Sequence, residues 1–128
     1  SRLDPARVGR YLGVDIAPEA IARAGVRRRP GVDFVAADAL EFKPRDRFDI
    51  VLFNECLEYF DDPRALVARY RSALHPDGLV LVSMFVGLDT ARTERIWRML
   101  DRDWETRSAT RVVNEHGYAW VIKVLSGR

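Results

Sequence analysis

Apolar residues along the chain follow two spacings, and the alternation between them sets the expected fold. Near-continuous apolar runs at Ile50-Val51-Leu52-Phe53 and Leu79-Val80-Leu81-Val82-Ser83-Met84 read as strands buried on both faces, the mark of a parallel sheet covered by helices. Two shorter stretches, Tyr11-Leu12-Gly13-Val14-Asp15 and Val32-Asp33-Phe34-Val35-Ala36-Ala37-Asp38, each run into a carboxylate. Elsewhere apolar positions recur every three and four residues: Leu66, Val67, Tyr70 and Leu74, then Ile96, Trp97, Leu100 and Trp104. This is helical spacing. It predicts one helix after Pro63 and another over Thr93 to Trp104.

Breakers and caps fall where these elements should end. Pro18 opens Pro18-Glu19-Ala20-Ile21-Ala22-Arg23-Ala24 as a first-turn proline, Asp62-Pro63 marks a second helix start, and His75-Pro76-Asp77-Gly78 is a breaker cluster that stops that helix. The end of the chain differs. Ala109 to Asn114 and Ala119 to Leu125 are strand-like and separated by Glu115-His116-Gly117-Tyr118, a hairpin-length connection with a usable glycine. The expected fold is therefore α/β: a mostly parallel, Rossmann-like sheet with helices on both faces and a C-terminal antiparallel hairpin. No repeat or low-complexity tract interrupts it, and a single domain over residues 1–128 is expected. The opening Ser1 to Arg10, with Asp4-Pro5 and no initiating methionine, reads as a linker or helix tail at an internal boundary.

Composition narrows the function. At 128 residues the chain can bury roughly two-thirds of its unfolded surface around one core. Its 48% apolar and 31% charged residues exclude a disordered segment, and no apolar run approaches the roughly 20 residues of a bilayer span. With 21 basic and 19 acidic side chains, there is no strong field to attract nucleic acid. The cluster Arg27-Arg28-Arg29 reads as a solvated helix end. One cysteine, Cys56, cannot form an internal disulfide, which fits a reducing, cytoplasmic setting. Two histidines and one cysteine without short ligand spacing give no support for a metal site.

In an open α/β sheet, ligands bind outside the carboxyl ends of the strands. Asp15, Asp38 and the stretch Asn54-Glu55-Cys56-Leu57-Glu58-Tyr59 stand there. Each has a plainer reading: Asp15 as a helix cap, Asp38 as a turn residue bonding its own backbone, Asn54 and Glu55 as caps of the next segment, Cys56 as a small buried hydrophobe. His75 suits a helix C-terminus, His116 an exposed turn, and Trp97, Trp104 and Trp120 core packing.

Four stretches in fixed order bear on these readings without closing them. Gly13-Val14-Asp15 followed by Pro18-Glu19-Ala20-Ile21, then Ala37-Asp38, then Phe48-Asp49-Ile50-Val51 with Leu57-Glu58-Tyr59-Phe60-Asp61-Asp62-Pro63, then Leu74-His75-Pro76-Asp77-Gly78-Leu79-Val80-Leu81-Val82 together resemble class I S-adenosylmethionine-dependent methyltransferases, particularly the broad group acting on small molecules. The likeness covers roughly Tyr11 to Leu125. It implies a seven-stranded sheet whose last strand is inserted antiparallel, S-adenosylmethionine as cofactor and a small-molecule methyl acceptor. It also implies roles. Asp15 would accept from both ribose hydroxyls, because a carboxylate offers two acceptor oxygens to a vicinal diol. Asp38 would accept from the adenine amine, with the backbone of Ala37 or Ala39 meeting the ring and Ile16 packing on its face. Asn54 and Glu55 would line the methionine and methyl end. Glu55, Glu58 and Tyr59 are the candidates for a general base, needed only where the acceptor must lose a proton.

One part of the family pattern is absent: no G-x-G occurs in the sequence, and the strand that would carry that glycine loop belongs between those ending at Asp15 and Asn54. Its absence would leave two unpaired edges, which invite pairing with another chain and a homo-oligomer, or force the two strands together. Hence the expectation that this fragment is inactive or impaired, and the alternative of a non-catalytic, methyltransferase-like interaction module. A nicotinamide-dependent oxidoreductase would also use an acid on ribose, but the terminal hairpin and the Asn54 to Pro63 stretch fit it less well. Val86 to Trp104 is the one insertion large enough for a lid.

Overall fold

The computed structural model describes residues 6–26, 29–87 and 89–128. The chain divides into two compact units, Ser1–Lys43 and Pro44–Arg128. Arg27, Arg28 and the Asp4-Pro5 opening lie outside the described residues.

The first unit is a strand-helix-strand crossover. Strand β1 (Tyr11–Asp15) leads into helix α1 (Pro18–Gly25) and on to β2 (Val32–Ala36). The two strands pair in parallel, from Tyr11 opposite Val32 to Asp15 opposite Ala36. Pro18 opens the helix as expected, since a first-turn proline sacrifices no helical hydrogen bond. Gly31, at φ +81°, lets its carbonyl accept from the Tyr11 N–H at 2.7 Å, and a Cβ there would meet the Gly9 carbonyl oxygen at 2.8 Å. No side chain of α1 is buried.

The second unit holds β3 (Phe48–Asn54), α2 (Pro63–Arg69), β4 (Leu74–Val86), α3 (Thr90–Asp103), β5 (Trp104–Val113) and β6 (Ala119–Gly127). Its sheet has the order β3-β4-β6-β5, with β3 and β4 parallel and both pairs involving β6 antiparallel. The terminal hairpin is as expected. Asn114 shapes its turn by accepting from the His116 and Tyr118 amides at 2.9 Å each, and Gly117 supplies a φ of +82°. Asp62 caps α2 through the Ala65 amide, and Asp89 caps α3 through the Arg92 amide.

Two expectations need correction. The helix after Pro63 does not keep helical form as far as Leu74: it becomes a 3-10 turn at Tyr70–Ala73, and Leu74 is already strand. The breaker cluster then bulges out of β4, for Leu74 pairs with Phe48 while Leu79 pairs with Ile50. Gly78 fits that tight return because a Cβ would lie 2.9 Å from the His75 carbonyl oxygen. Nor is β3 buried on both faces. Phe53 is 6% exposed, but Ile50 and Leu52, on the opposite face, are each 52% exposed. Helices α2 and α3 bury Leu66, Val67, Ile96 and Leu100 with Val80, Val82, Met84, Trp104 and Leu125, so the core lies on one side of this sheet. Among the described residues, β1 and β3 are both edge strands of their own sheets.

Charged groups fasten α3. Arg64 makes two bonds to Asp103 at 2.7 and 2.8 Å, and Arg71 lies 4.1 Å over the Trp104 ring. Arg128 donates to the Asp101 and Trp104 carbonyls, satisfying helix C-terminal acceptors that lack an intrahelical partner.

Candidate functional site

In the first unit, register alone brings two carboxylates together. Asp15 ends β1 opposite Ala36, and the Ala37 amide donates to the Asp15 carbonyl at 2.9 Å. Asp38 therefore follows directly at the carboxyl end of the neighbouring strand. Each side chain spends one oxygen locally: Asp15 Oδ1 accepts from the Ala17 amide at 2.8 Å, and Asp38 Oδ1 from the Leu40 amide at 2.9 Å. The plain reading of Asp38 as a turn residue is thus present in the structure. Asp15 is not the cap of α1, whose cap residue is Ala17 and has no side-chain bond. In both aspartates the local bond fixes the carboxylate and leaves the second oxygen available. Ile16 is 69% exposed, a large apolar side chain held out beside Asp15, while Ala37 and Ala39 are half-buried.

The second unit builds its polar group at the end of β3. Asn54 Oδ1 accepts from the buried Ser83 hydroxyl at 2.6 Å, tying the ends of β3 and β4 together. Glu55 takes φ +52°, a left-handed conformation that non-glycine residues adopt only at a cost of about 1–2 kcal/mol. Two bonds hold it there. Its amide donates to the Ser83 carbonyl at 2.9 Å, and Trp120 Nε1 donates to its Oε1 at 2.5 Å. Neither Asn54 nor Glu55 caps the following 3-10 turn, Leu57–Tyr59. Leu57 anchors that turn with no exposed surface, and Arg92 clamps it to α3, donating from Nε to the Glu58 carbonyl at 2.9 Å and from Nη2 to the Phe60 carbonyl at 2.7 Å.

The result is a cleft of about 390 Å³ lined by Glu55, Glu58, Tyr59, Phe85, Gly87, Asp89, Arg92 and Thr93. All three residues expected to be catalytic, Glu55, Glu58 and Tyr59, meet there. Tyr59 is 82% exposed. Glu58 has a buried Oε2 with no hydrogen-bond partner. Burial, then the nearby Glu58 carboxylate, push the Cys56 thiol up from 9.0 to about 11. It stays protonated at neutral pH, as a packing cysteine should. Asp89, Arg92 and Thr93 were not legible as wall residues, since only the long segment from Val86 hinted at them. Ser83 and Trp120 carried no signal of their partners, which sit across strands.

Known proteins bear on this arrangement. Residues 2–123 match the profile of a methyltransferase domain. The chain belongs to the methyltransferase domain family. The family resemblance read from the four stretches therefore holds. Among curated relatives, the ubiquinone biosynthesis O-methyltransferase of Bradyrhizobium sp. (strain ORS 278) is 30% identical over 113 residues, 86% of this chain and 39% of that protein. The malonyl-[acyl-carrier protein] O-methyltransferase of Halalkalibacterium halodurans is 35% identical over 74 residues, 55% of this chain and 27% of that protein. The chain thus spans well under half the length of these relatives. Among solved structures, the N-methyltransferase NodS from Bradyrhizobium japonicum WM9, in complex with S-adenosyl-L-homocysteine, superposes with a TM-score of 0.78 at 21% identity, covering 92% of this chain and 66% of that one. The fold is the Rossmann-like α/β fold of methyltransferases. No helix among the described residues is long and apolar enough to cross a membrane.

Proposed function

We propose that this methyltransferase-domain chain contributes to methyl transfer from S-adenosylmethionine to a small-molecule acceptor. The observation that carries the reading is the pair of aspartates at adjacent strand ends, each pinned by one backbone amide with one oxygen to spare. Such oxygens fit adenosine. Asp15 would accept from the ribose hydroxyls and Asp38 from the adenine amine, because a carboxylate only accepts and these groups donate. Ile16 offers an exposed apolar surface to the ring, and the backbones of Ala37 and Ala39 its edge. The cofactor brings an already activated methyl group. What remains for the chain is to hold the acceptor, exclude water and take up a proton where the acceptor must lose one. Glu55, Glu58 and Tyr59 line the cleft suited to that work.

A second reading, a non-catalytic interaction module, draws on the edge strands β1 and β3 and on the half-exposed Ile50 and Leu52. It predicts self-association through those edges. Calorimetric titration of the 128-residue chain with S-adenosylhomocysteine separates the two. Micromolar binding that is lost in both Asp15→Ala and Asp38→Ala is the expected result. Binding that survives both substitutions, or no binding by a folded chain, overturns the assignment of these aspartates as a sufficient adenosine site.

A further inference from the structure

Two separate controls set the geometry of Glu55, and they come from different strands. Among the described residues, Glu55 is the one non-glycine residue with a positive φ, +52°. Its amide donates to the Ser83 carbonyl of β4 at 2.9 Å, a bond between backbones that does not depend on the side chain at position 83. The carboxylate is controlled from elsewhere. Trp120 Nε1 donates to Glu55 Oε1 at 2.5 Å, across 65 positions of the chain. An indole only donates and an ionised carboxylate only accepts, so the pair meets in one sense alone. The indole in turn is placed by the sheet. In the strand register Trp120 stands opposite Phe85 of β4 and Val112 of β5, and its ring lies 5.5 Å from the Phe85 ring. Cross-strand neighbours of this kind hold a side chain by packing on the pleated surface. Phe85 and Glu55 both line the cleft. Costly backbone conformations that the surroundings over-determine collect at functional sites, and a reacting group does its work when packed, hydrogen-bonded neighbours hold it in a narrow geometry.

We infer that Trp120, on the C-terminal hairpin, is a positioning residue for Glu55. The sheet aims the indole, the indole engages Oε1, and Oε2 is the oxygen left to take a proton from the methyl acceptor. Once protonated there, Glu55 is a neutral carboxylic acid whose Oε1 stays bonded to the indole. Labour is divided: the Ser83 carbonyl holds the backbone of residue 55, and Trp120 holds its carboxylate. This role rests on the proposed function, which takes Glu55 as a proton acceptor; the placement itself needs neither cofactor nor acceptor.

The test is NMR of the full 128-residue chain, without cofactor, as wild type, Trp120→Phe and Glu55→Gln. Phenylalanine keeps a ring against Phe85 and removes only the donor. In the wild type, residue 55 should give the strong intraresidue N–H to Hα contact of a positive φ, two distinct Hγ signals, and a Trp120 indole N–H signal that moves as acid protonates the carboxylate. Glu58, Asp89 and Arg92 share the cleft, and Glu55→Gln separates them from Glu55: it should abolish the movement of the indole signal. Trp120→Phe should merge the two Hγ signals while the positive-φ contact persists, with the Val112 and Tyr118 amide signals showing that the hairpin is intact. Should Trp120→Phe unfold, the indole response in wild type and Glu55→Gln decides alone. Hγ signals that stay distinct in Trp120→Phe, a positive φ that is lost with the indole, or an indole signal indifferent to acid or to Glu55→Gln would each overturn the positioning role. Failure of S-adenosylhomocysteine to bind, with these signals behaving as expected, would instead sink the proposed function and leave the placement of Glu55 by Trp120 standing.

Discussion

The two units of this chain carry their chemistry on very different foundations. Among the described residues, every buried apolar side chain, from Phe53 to Leu125, belongs to Pro44–Arg128. Ser1–Lys43 has a parallel strand pair and an amphipathic helix, yet none of its described residues is buried. Strand pairing and a helix alone are marginal in water, since burial of an apolar face supplies most of the stability of such elements. The aspartates at the ends of β1 and β2 are therefore ordered by backbone bonds and register, whereas Glu55 and Glu58 are ordered by a core directly behind them.

Truncation of the core tests this contrast most strongly. Leu100→Ala, at a position with no exposed surface, should destabilise the second unit by about 2–5 kcal/mol. Leu12→Ala, at a half-buried position, should cost under about 1 kcal/mol and leave the main urea transition in place. Equal losses would dissolve the distinction between the units.

Next in size is the ion pair behind the hairpin. Lys123 Nζ lies 2.8 Å from Asp101 Oδ1 and 5.0 Å from the Trp97 ring, with its side chain 16% exposed. Asp101→Asn should cost about 1–3 kcal/mol, because it leaves a largely buried ammonium without its counter-charge. Burial alone would raise the Asp101 carboxyl, but bonds from Lys123 and Thr106 and the charges of Lys123 and Arg128 outweigh it and hold the carboxyl below the ordinary 3.8. A carboxylate depressed in the folded state stabilises at pH values above its unfolded pKa and loses that contribution as pH falls through the folded value. The gap between wild type and variant, measured by thermal melts, should thus be full at neutral pH and close below about pH 4. A gap that is independent of pH would show the pair to be packing rather than charge.

The smallest effect compares two glycines of the same conformation. Gly117, at φ +82°, has open space around a would-be Cβ, whereas Gly31, at φ +81°, has the Gly9 carbonyl in the way. Gly117→Ala should lower global stability by about 1 kcal/mol from the left-handed backbone alone. Gly31→Ala should perturb the amide spectrum of β1 and β2 without moving the global transition. A shift of that transition by Gly31→Ala would mean that the first unit unfolds with the second.

Much of this was legible along the chain because it depends on local rules. Pro18, Asp62-Pro63 and the hairpin around Gly117 act through backbone geometry and capping, which neighbouring residues decide. The runs at Ile50 and Leu79 predicted strands, and the four ordered stretches pointed to the family. The same run at Ile50 misled about burial, because an apolar side chain states a preference, not the presence of something to cover it. Likewise Leu74 continued a helical spacing but was taken into β4 by pairing with Phe48, a partner far away in sequence. The candidate acids were found from their position after strands. Their partners were not: Ser83 for Asn54, Trp120 for Glu55 and Arg92 for the turn at Glu58 come from other elements.

By itself, then, the sequence determined the element types, the order of strands and helices, the family and the acids at the strand ends, because propensity, periodicity and turn chemistry act over a few residues. Only the tertiary structure decided which face of β3 is covered, that Ser83 and Trp120 engage the Asn54 and Glu55 oxygens and that Arg92 closes the cleft. Those facts arise from contacts between residues tens of positions apart, and no local pattern encodes the free energy of a contact whose partner is elsewhere in the chain.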